Sequence, residues 1–112
     1  MASAGLAEIA FVVDVSALTN KGFIGTTRYE GKEIGLDFDD GDAGVFLSSE
    51  MAARLGVRKG SQLTILIEGA SDQMVEAKVA SVGRALRISS AKAYYEVGKE
   101  GGAVVRIRKA QG

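Results

Sequence analysis

Apolar residues along this chain occur in short runs separated by glycine-containing turns, a pattern typical of a protein rich in β-strands. Apolar runs at 10–15 and 23–29 each have the length of one strand. Over 32–38, apolar residues occupy every second position, as in a strand with one buried face. The pattern therefore predicts three consecutive strands, of which the last two form a hairpin.

After the hairpin the pattern changes to that of a short helix between two strands. A brief apolar run at 45–47 is followed by Ser48 and Ser49, residues that favour the start of a helix. Gly56 lies where a left-handed residue would end that helix. A continuous apolar run at 63–67 then predicts a well-buried strand.

The same order of signals recurs at an offset of 41 residues. We therefore predict an internal duplication, with repeats at 34–68 and 75–109 related by a pseudo-twofold axis. Matching Gly56 with Gly98 needs an offset of 42. At the constant offset, the matched pairs include Leu47 with Ile88, Ser48 with Ser89, Ser49 with Ser90, Leu63 with Val104, and Leu66 with Ile107.

Composition places the whole chain in one small domain. Hydrophobic residues make up 46% of the 112 residues and charged residues 25%, which favours a folded globular protein. Fifteen glycines and no proline mean that glycine has to provide the turns. We predict a single domain over 1–112, mostly β, folded as a small pseudo-twofold barrel with two short helices.

A family resemblance supports the barrel. The segment from 45 to 69 reads VFLSSEMAARLGVRKGSQLTILIEG and resembles the strand, short helix, leucine-glycine turn and strand of double-psi β-barrels and of swapped-hairpin (AbrB-like) bacterial regulators. In those regulators each chain gives one unit and two chains complete the barrel, whereas 34–68 and 75–109 would here supply both. The resemblance implies a binding or assembly module that contacts DNA or an acidic protein.

The same segment is also similar to the Mop-type molybdate-binding domain. In that family a serine or threonine leads into a short helix, and Asn20 and Gly22 lie where it has an early asparagine and glycine. This resemblance implies a small-oxyanion site at Ser48 and Ser49. A helix N-terminus offers free N–H groups to an anion. A capping role, however, fully accounts for both serines and is the favoured interpretation, and Glu50 in the first turn would repel an anion.

Missing residue types exclude several classes of chemistry. The chain has no cysteine and no histidine, which excludes disulfides, thiolate chemistry and any Ser-His or Cys-His relay and leaves zinc without its usual ligands. We therefore expect no enzyme activity, no cofactor and no metal. Lysine plus arginine balances aspartate plus glutamate at 14 each, so no overall field attracts nucleic acid or membrane.

Two local motifs are better explained by turns. A calcium loop starting at Asp39 would place Gly41 and Ala43 at ligand positions, and neither can serve. The Gly60-Ser61 bond resembles the one at which aspartate decarboxylases, a double-psi enzyme family, generate a pyruvoyl group. It lies in a predicted glycine turn, which accounts for both residues.

Charge is distributed unevenly along the chain. Residues 28–50 hold seven acidic and two basic side chains, and residues 84–109 hold seven basic and two acidic ones. Basic residues of the second segment could contact phosphates or an acidic protein partner. Alternatively, they protect an edge strand or pair with the acidic segment. The candidates are Arg84, Arg87, Arg106, Arg108 and Lys109.

Neighbouring features bear on partners and location. Tyr94 and Tyr95 could stack on bases, but adjacent tyrosines on a short helix more often place one ring in the core and one at its rim. Glu8 and Asp14 interrupt the apolar stretch near the N-terminus, so we expect neither a signal peptide nor a membrane span, and a cytoplasmic protein. A protein partner, a homo-oligomer and weak DNA binding all remain open.

Overall fold

Eight strands and two helices make up the part of the chain that the computed structural model describes, residues 7–13, 23–68, 73–100 and 103–110. The prediction of a mostly β domain with two short helices is confirmed. In chain order the elements are β1 Glu8–Val13, β2 Phe23–Tyr29, β3 Lys32–Asp39, β4 Gly44–Leu47, α1 Ser49–Leu55, β5 Gln62–Glu68, β6 Gln73–Val82, β7 Arg87–Ser89, α2 Ala91–Glu100 and β8 Ala103–Lys109.

All eight strands join one sheet in the order β1-β8-β5-β6-β4-β7-β3-β2. The pairs β3–β7 and β4–β6 are parallel, and the other neighbouring pairs are antiparallel. The two outermost strands, β1 and β2, approach each other, and Thr27 Oγ1 donates a hydrogen bond to the Val12 carbonyl oxygen at 2.7 Å. The sheet is therefore a nearly closed barrel.

Left-handed backbone conformations at two sites, one in a turn and one in a strand, shape the barrel. In the turn between β2 and β3, Glu30 and Gly31 have φ of 51° and 78°, as a two-residue type I′ turn requires. Gly44 has φ of 100°, and a Cβ atom there would lie 2.6 Å from the Lys78 carbonyl oxygen. Only glycine fits where β4 crosses so close to β6.

The core lies inside the barrel and under the helices. Leu63, Ile65 and Ile67 of β5 point inward and are fully buried, as the alternation of an antiparallel strand with one solvated face requires. Burying one such side chain contributes about 1.5–3 kcal/mol. Helix α1 buries Met51 and Leu55 on the same interior.

Both helices begin at a serine cap, as predicted. Ser48 Oγ accepts a hydrogen bond from the Met51 N–H at 3.1 Å, and Ser90 Oγ accepts one from the Ala93 N–H at 3.3 Å. Gly56 ends α1 in the left-handed conformation with φ of 69°. Within the described ranges, neither helix has the length and apolar character that crossing a bilayer requires.

The order of strand, strand, helix and strand occurs twice, as β3-β4-α1-β5 and β6-β7-α2-β8. Leu47 and Ile88, which match at an offset of 41, are both fully buried. From the caps onward the offset is 42, because Ser48 caps α1 directly after Leu47, whereas Ser89 separates Ile88 from the capping Ser90. The internal duplication itself stays a prediction.

Burial in the last strand corrects two of the proposed pairs. Leu63 and Ile107 are fully buried, whereas their proposed counterparts Val104 and Leu66 are half-buried on the outer face. Val105 is fully buried and stands 42 residues after Leu63. Successive side chains of a strand point to opposite faces, so a shift of one residue exchanges the inner and outer faces. The constant offset therefore fails in this strand.

Candidate binding sites

An open cavity of about 300 Å³ lies between the β2–β3 hairpin, the start of α1 and the segment before β7. Its lining includes the apolar side chains of Ile34, Met51 and Leu86 and the ring of Tyr29. Met51 and Leu86 are almost completely buried and also belong to the core. The cavity is therefore built on the fixed interior of the barrel.

Tyr29, which lines this cavity, carries an unusual polar atom. The side chain is 8% exposed, and its Oη atom is buried without a hydrogen-bond partner among the described residues. Leaving a buried hydroxyl group unpaired costs about 1–3 kcal/mol. Because the Oη atom is closed to solvent, the side chain has to turn toward the cavity before a ligand atom can pair with it and recover this cost.

Charged side chains surround the mouth of the cavity. Arg54 of α1 forms an ion pair with Glu30. The Arg54 guanidinium group lies 6.0 Å from the centre of the Tyr29 ring, and its Nε donates a hydrogen bond to the Glu8 carbonyl oxygen at 3.2 Å. Lys32 and Glu50 also line the mouth, and the described residues provide neither with an ion-pair partner. The mouth thus presents one unpaired charge of each sign.

The two serines predicted to bind an oxyanion lie beside this cavity. Ser48 lines it, but its Oγ already accepts the capping hydrogen bond from Met51. Ser49 is exposed as the first residue of a helix of only seven residues. Glu50 adds negative charge at the same place. The oxyanion hypothesis stays a prediction, and this geometry gives it no additional donor.

Arg106 and Arg108 lie side by side on the outer face of β8. Arg106 contacts Glu8 Oε1 at 2.7 Å and Glu68 Oε1 at 3.0 Å, and Arg108 contacts Glu8 Oε2 at 2.7 Å. The hydrogen bond from Arg108, helped by Arg106, lowers the pKa of Glu8 against the opposing effect of burial. The hydrogen bonds that Arg106 donates to Glu68 and Glu8 raise the pKa of Arg106.

The interpretation of β8 as an edge strand protected by charge is wrong. β8 lies between β1 and β5 and is hydrogen-bonded on both sides. Its two arginines also pair outside the acidic segment, because Glu8 and Glu68 do not belong to 28–50. Their charges instead join the three strands β1, β8 and β5 across the outer surface.

Other members of the basic group lie elsewhere on the barrel. Arg84 and Arg87 flank a shallow depression beside β7, which is four positions away from β8 in the strand order and hence on the opposite side of the barrel. Lys109 is exposed at the end of β8, near Arg58. The five residues therefore do not converge on one face, and their role in binding stays a prediction.

A compact polar cluster forms around Asp39 at the end of β3. Its Oδ2 atom accepts hydrogen bonds from Arg87 Nε at 3.1 Å and Nη2 at 2.9 Å, so one arginine of the basic group does pair with the acidic segment. Its Oδ1 atom accepts from Ser89 Oγ at 2.6 Å and from the Gly41 N–H at 2.9 Å. The Ser89 hydroxyl group in turn accepts from the Ala43 N–H at 3.1 Å.

Burial and hydrogen bonding oppose each other at this carboxylate. Partial burial raises the pKa of Asp39, but the donors from Ser89, Gly41 and Arg87 together outweigh it, and the pKa lies below its ordinary value. The carboxylate is therefore engaged in holding the 39–43 turn against β7. Ser89 is 2% exposed, so its hydroxyl group is not accessible to a substrate.

The remaining sequence candidates have structural roles. Ser61 closes the predicted glycine turn, because its N–H donates to the Arg58 carbonyl oxygen at 3.0 Å and its Oγ accepts from the Arg58 N–H at 3.0 Å. Tyr94 packs edge to face on Phe38 with ring centres 5.5 Å apart, whereas Tyr95 is exposed. Tyr94 is only partly buried against the edge of the core, so the expectation of one ring in the core and one at the rim is wrong by one step outward for both rings.

The sequence pattern gave no indication of the cavity around Tyr29. Its lining comes from β2, β3, α1 and the segment before β7, and each apolar member looks like an ordinary core residue in sequence. The sequence predicted only that Tyr29 belongs to a strand over 23–29. No property of the sequence indicates that its hydroxyl group lacks a partner there.

Comparisons with known proteins assign no family. The chain matches no protein-family model, and neither a curated protein nor a solved structure is significantly similar to it. Among the described residues, no group of three or more acidic side chains is arranged to hold a metal ion. The candidate sites therefore rest on their own geometry.

Proposed function

We propose that this domain is a non-catalytic binding module and that its ligand site is the cavity around Tyr29. The observation that carries the proposal is a cavity with apolar walls lined by Tyr29, whose buried hydroxyl group has no hydrogen-bond partner among the described residues. Ligand pockets combine an apolar lining with a few polar groups that fix the orientation of the ligand. At about 300 Å³, this cavity is at the small end of such pockets.

The chemistry of the chain supports binding rather than catalysis. Without histidine or cysteine, the remaining hydroxyl and carboxylate groups would have to provide any nucleophile and base. The closest such pair, Ser89 and Asp39, is saturated with structural hydrogen bonds. The cavity itself contains no comparable pair within hydrogen-bonding distance among the contacts of the described residues.

The barrel topology is compatible with the double-psi resemblance, which we retain as part of the proposal. When the two repeats are interchanged, β3 takes the place of β6 and β4 takes the place of β7. The parallel pair β3–β7 then becomes the parallel pair β4–β6, and the reverse. This relation supports an origin by duplication within one chain. The proposal also places the protein in the cytoplasm and has it bind its ligand without completing the barrel from a second chain. Assembly into oligomers is not required by the cavity.

DNA binding receives less support than ligand binding. Arg106 and Arg108 would have to exchange Glu8 and Glu68 for phosphate groups, and Arg84 and Arg87 lie on the other side of the barrel. A protein that contacts several phosphates needs its cations on one surface. We therefore place the ligand in the cavity and not on β8.

The proposal is tested by titrating the isotope-labelled protein with benzyl alcohol, a neutral apolar probe with one hydroxyl group. We expect millimolar binding, with amide shift changes concentrated at Gly35, Ala85 and Leu86. Tyr29→Phe should weaken binding about tenfold, because one hydrogen bond to the ligand is lost.

Two alanine-to-phenylalanine variants distinguish binding in the cavity from binding elsewhere on the surface. Ala85 is exposed and lines the cavity, so Ala85→Phe should fill it and abolish the shifts. Ala53 is exposed on α1 and does not line it, so Ala53→Phe should bind the probe as the wild type does. Shifts scattered over the surface, or binding that survives Ala85→Phe, would overturn the proposal.

A further inference from the structure

We infer that the cavity takes a small zwitterion with an apolar side chain, the chemistry of a free aliphatic amino acid. The inference rests on the proposed binding function and adds the class of ligand. It comes from the charges at the mouth of the cavity, the size of the cavity and the Tyr29 hydroxyl group, which are independent features of the same site.

The charges at the mouth favour a ligand that carries both signs. Glu30 is neutralised by Arg54, which leaves Lys32 and Glu50 without ion-pair partners among the described residues. They come from different elements, Lys32 from β3 and Glu50 from α1. A carboxylate can therefore pair with Lys32 while an ammonium group pairs with Glu50.

The location of Glu50 also argues against an anionic ligand without an ammonium group. A carboxylate in the first turn of α1 already complements the positive end of the helix dipole. An anion alone would meet this carboxylate at the mouth, and a cation alone would meet Lys32. Only a ligand of balanced charge avoids both repulsions.

The size of the cavity limits the ligand to a small molecule. A volume of about 300 Å³ corresponds to roughly ten water molecules at about 30 Å³ each. An aliphatic amino acid such as leucine has a comparable number of non-hydrogen atoms. Its side chain would lie against Ile34, Met51 and Leu86, which line the cavity.

Tyr29 supplies a neutral polar contact between the apolar walls and the charged mouth. Tyr29 lines the cavity, and a turn of its side chain that exposes the buried hydroxyl group lets this group donate to a carboxylate oxygen. Arg54 is already bound to Glu30 and to the Glu8 carbonyl oxygen. The carboxylate of the ligand is therefore left to Lys32 and Tyr29.

The test compares three forms of one ligand by calorimetry and by amide shifts. L-leucine carries both charges, L-leucinamide lacks the carboxylate, and N-acetyl-L-leucine lacks the ammonium group. We expect L-leucine to bind about five times more tightly than either derivative, since each derivative loses one partly exposed ion pair and meets one uncompensated charge. Equal or tighter binding of either derivative overturns the inference.

Charge-neutralising variants assign each contact. Lys32→Gln should lower the affinity for L-leucine and leave the affinity for L-leucinamide unchanged or higher. Glu50→Gln should lower the affinity for L-leucine and leave the affinity for N-acetyl-L-leucine unchanged or higher. Lys59→Gln and Glu33→Gln remove exposed charges that do not line the cavity and serve as matched controls. If the controls change the affinity as much as the cavity variants do, the assignment is wrong.

The outcomes separate this inference from the proposed function. If benzyl alcohol binds in the cavity and L-leucine shows no preference over its derivatives, the binding site stands and the zwitterion inference falls. If neither benzyl alcohol nor L-leucine shifts the amides around Tyr29, both fall together.

Discussion

At the scale of single residues, Asp39 shows how one carboxylate can fix three segments of chain. It ends β3, holds the Gly41 N–H in the following turn, and binds Arg87 and Ser89 of β7. Hydrogen bonds to an ionised group are roughly twice as strong as neutral ones. The sequence indicated an acidic turn at this position. The tertiary structure shows that Asp39 links β3, the following turn and β7.

The lowered pKa of Asp39 predicts a dependence of stability on pH. A carboxylate whose folded pKa lies below its ordinary value of 3.8 contributes stability that is fully present above that value and is lost as the pH falls through the folded pKa. We expect the unfolding free energy to decrease on acidification below about pH 4, and Asp39→Asn to flatten this decrease.

Urea melts over a pH series measure this effect. At neutral pH, Asp39→Asn should cost about 2 kcal/mol through its weakened hydrogen bonds. Asp40→Asn changes an exposed neighbour and serves as the control, with a neutral-pH change within about 0.5 kcal/mol. An Asp39→Asn variant with the acid dependence of the wild type would contradict the assignment.

At the scale of elements, the two helices are short and depend on their first turns. Helix α1 has seven residues and α2 has ten, lengths that are marginal for an isolated helix. Each begins at a serine whose hydroxyl group accepts the N–H three residues later. The choice of serine within each pair differs, because the cap is Ser48 in the first pair and Ser90 in the second.

Replacing the capping serines should therefore have a larger effect than replacing their neighbour. Ser48→Ala and Ser90→Ala should each cost about 1 kcal/mol in a urea melt. Ser49 is exposed and stands inside the first turn, so Ser49→Ala should change the stability by less than about 0.5 kcal/mol. An equal loss at Ser48 and Ser49 would show that the capping assignment is wrong.

At the scale of the whole molecule, the distribution of charge decides which surfaces can attract a partner. The neutral total conceals local groups, but the arginines of β8 are balanced by Glu8 and Glu68. Arg84 and Arg87 lie on the opposite side of the barrel. Basic residues that are close in sequence are therefore separated by the path of the chain through the sheet.

A DNA titration at low ionic strength tests this distribution. We expect the wild type to show no salt-sensitive association, whereas Glu8→Gln combined with Glu68→Gln should free Arg106 and Arg108 for about two phosphate contacts. The logarithm of the affinity of that variant should then fall against the logarithm of the salt concentration with a slope of about −2. Adding Arg106→Ala and Arg108→Ala to it should remove the effect.

The opposite result would favour the nucleic-acid hypothesis. If the wild type binds DNA with a strong salt dependence and loses it on Arg106→Ala and Arg108→Ala, the arginines act as a binding surface in spite of their carboxylate partners. The isolated Arg84→Ala variant serves as the comparison from the other side of the barrel.

Much of the fold could be predicted from the sequence because it depends on local signals. The alternation over 32–38 and the apolar run at 63–67 correspond to β3 and β5, and Gly56 ends α1 as expected. The predicted strand at 10–15 begins two residues earlier, as β1, and its positions 14 and 15 lie outside the described residues, as do Asn20 and Gly22. Side-chain period and backbone conformation are properties of neighbouring residues, so a single sequence contains them.

The candidate site could not be predicted in the same way. Ser48 was recognised for its capping role and does line the cavity, but Tyr29, Met51 and Leu86 are ordinary apolar positions in sequence. The constant offset of 41 also failed after Ile88, because Ser89 stands between Ile88 and the capping Ser90. The effect of one extra residue on which side chains point inward depends on strand pairing.

The sequence by itself determined the strands, the capped helices, the glycine turns and the absence of histidine and cysteine chemistry. Only the tertiary structure decided that β8 lies inside the sheet, that Arg106 and Arg108 meet Glu8 and Glu68, and that an apolar cavity remains beside Tyr29. The physical reason is that periodicity and capping act over a few residues. Strand order, ion pairing and unfilled volume depend on residues that only the completed barrel brings together.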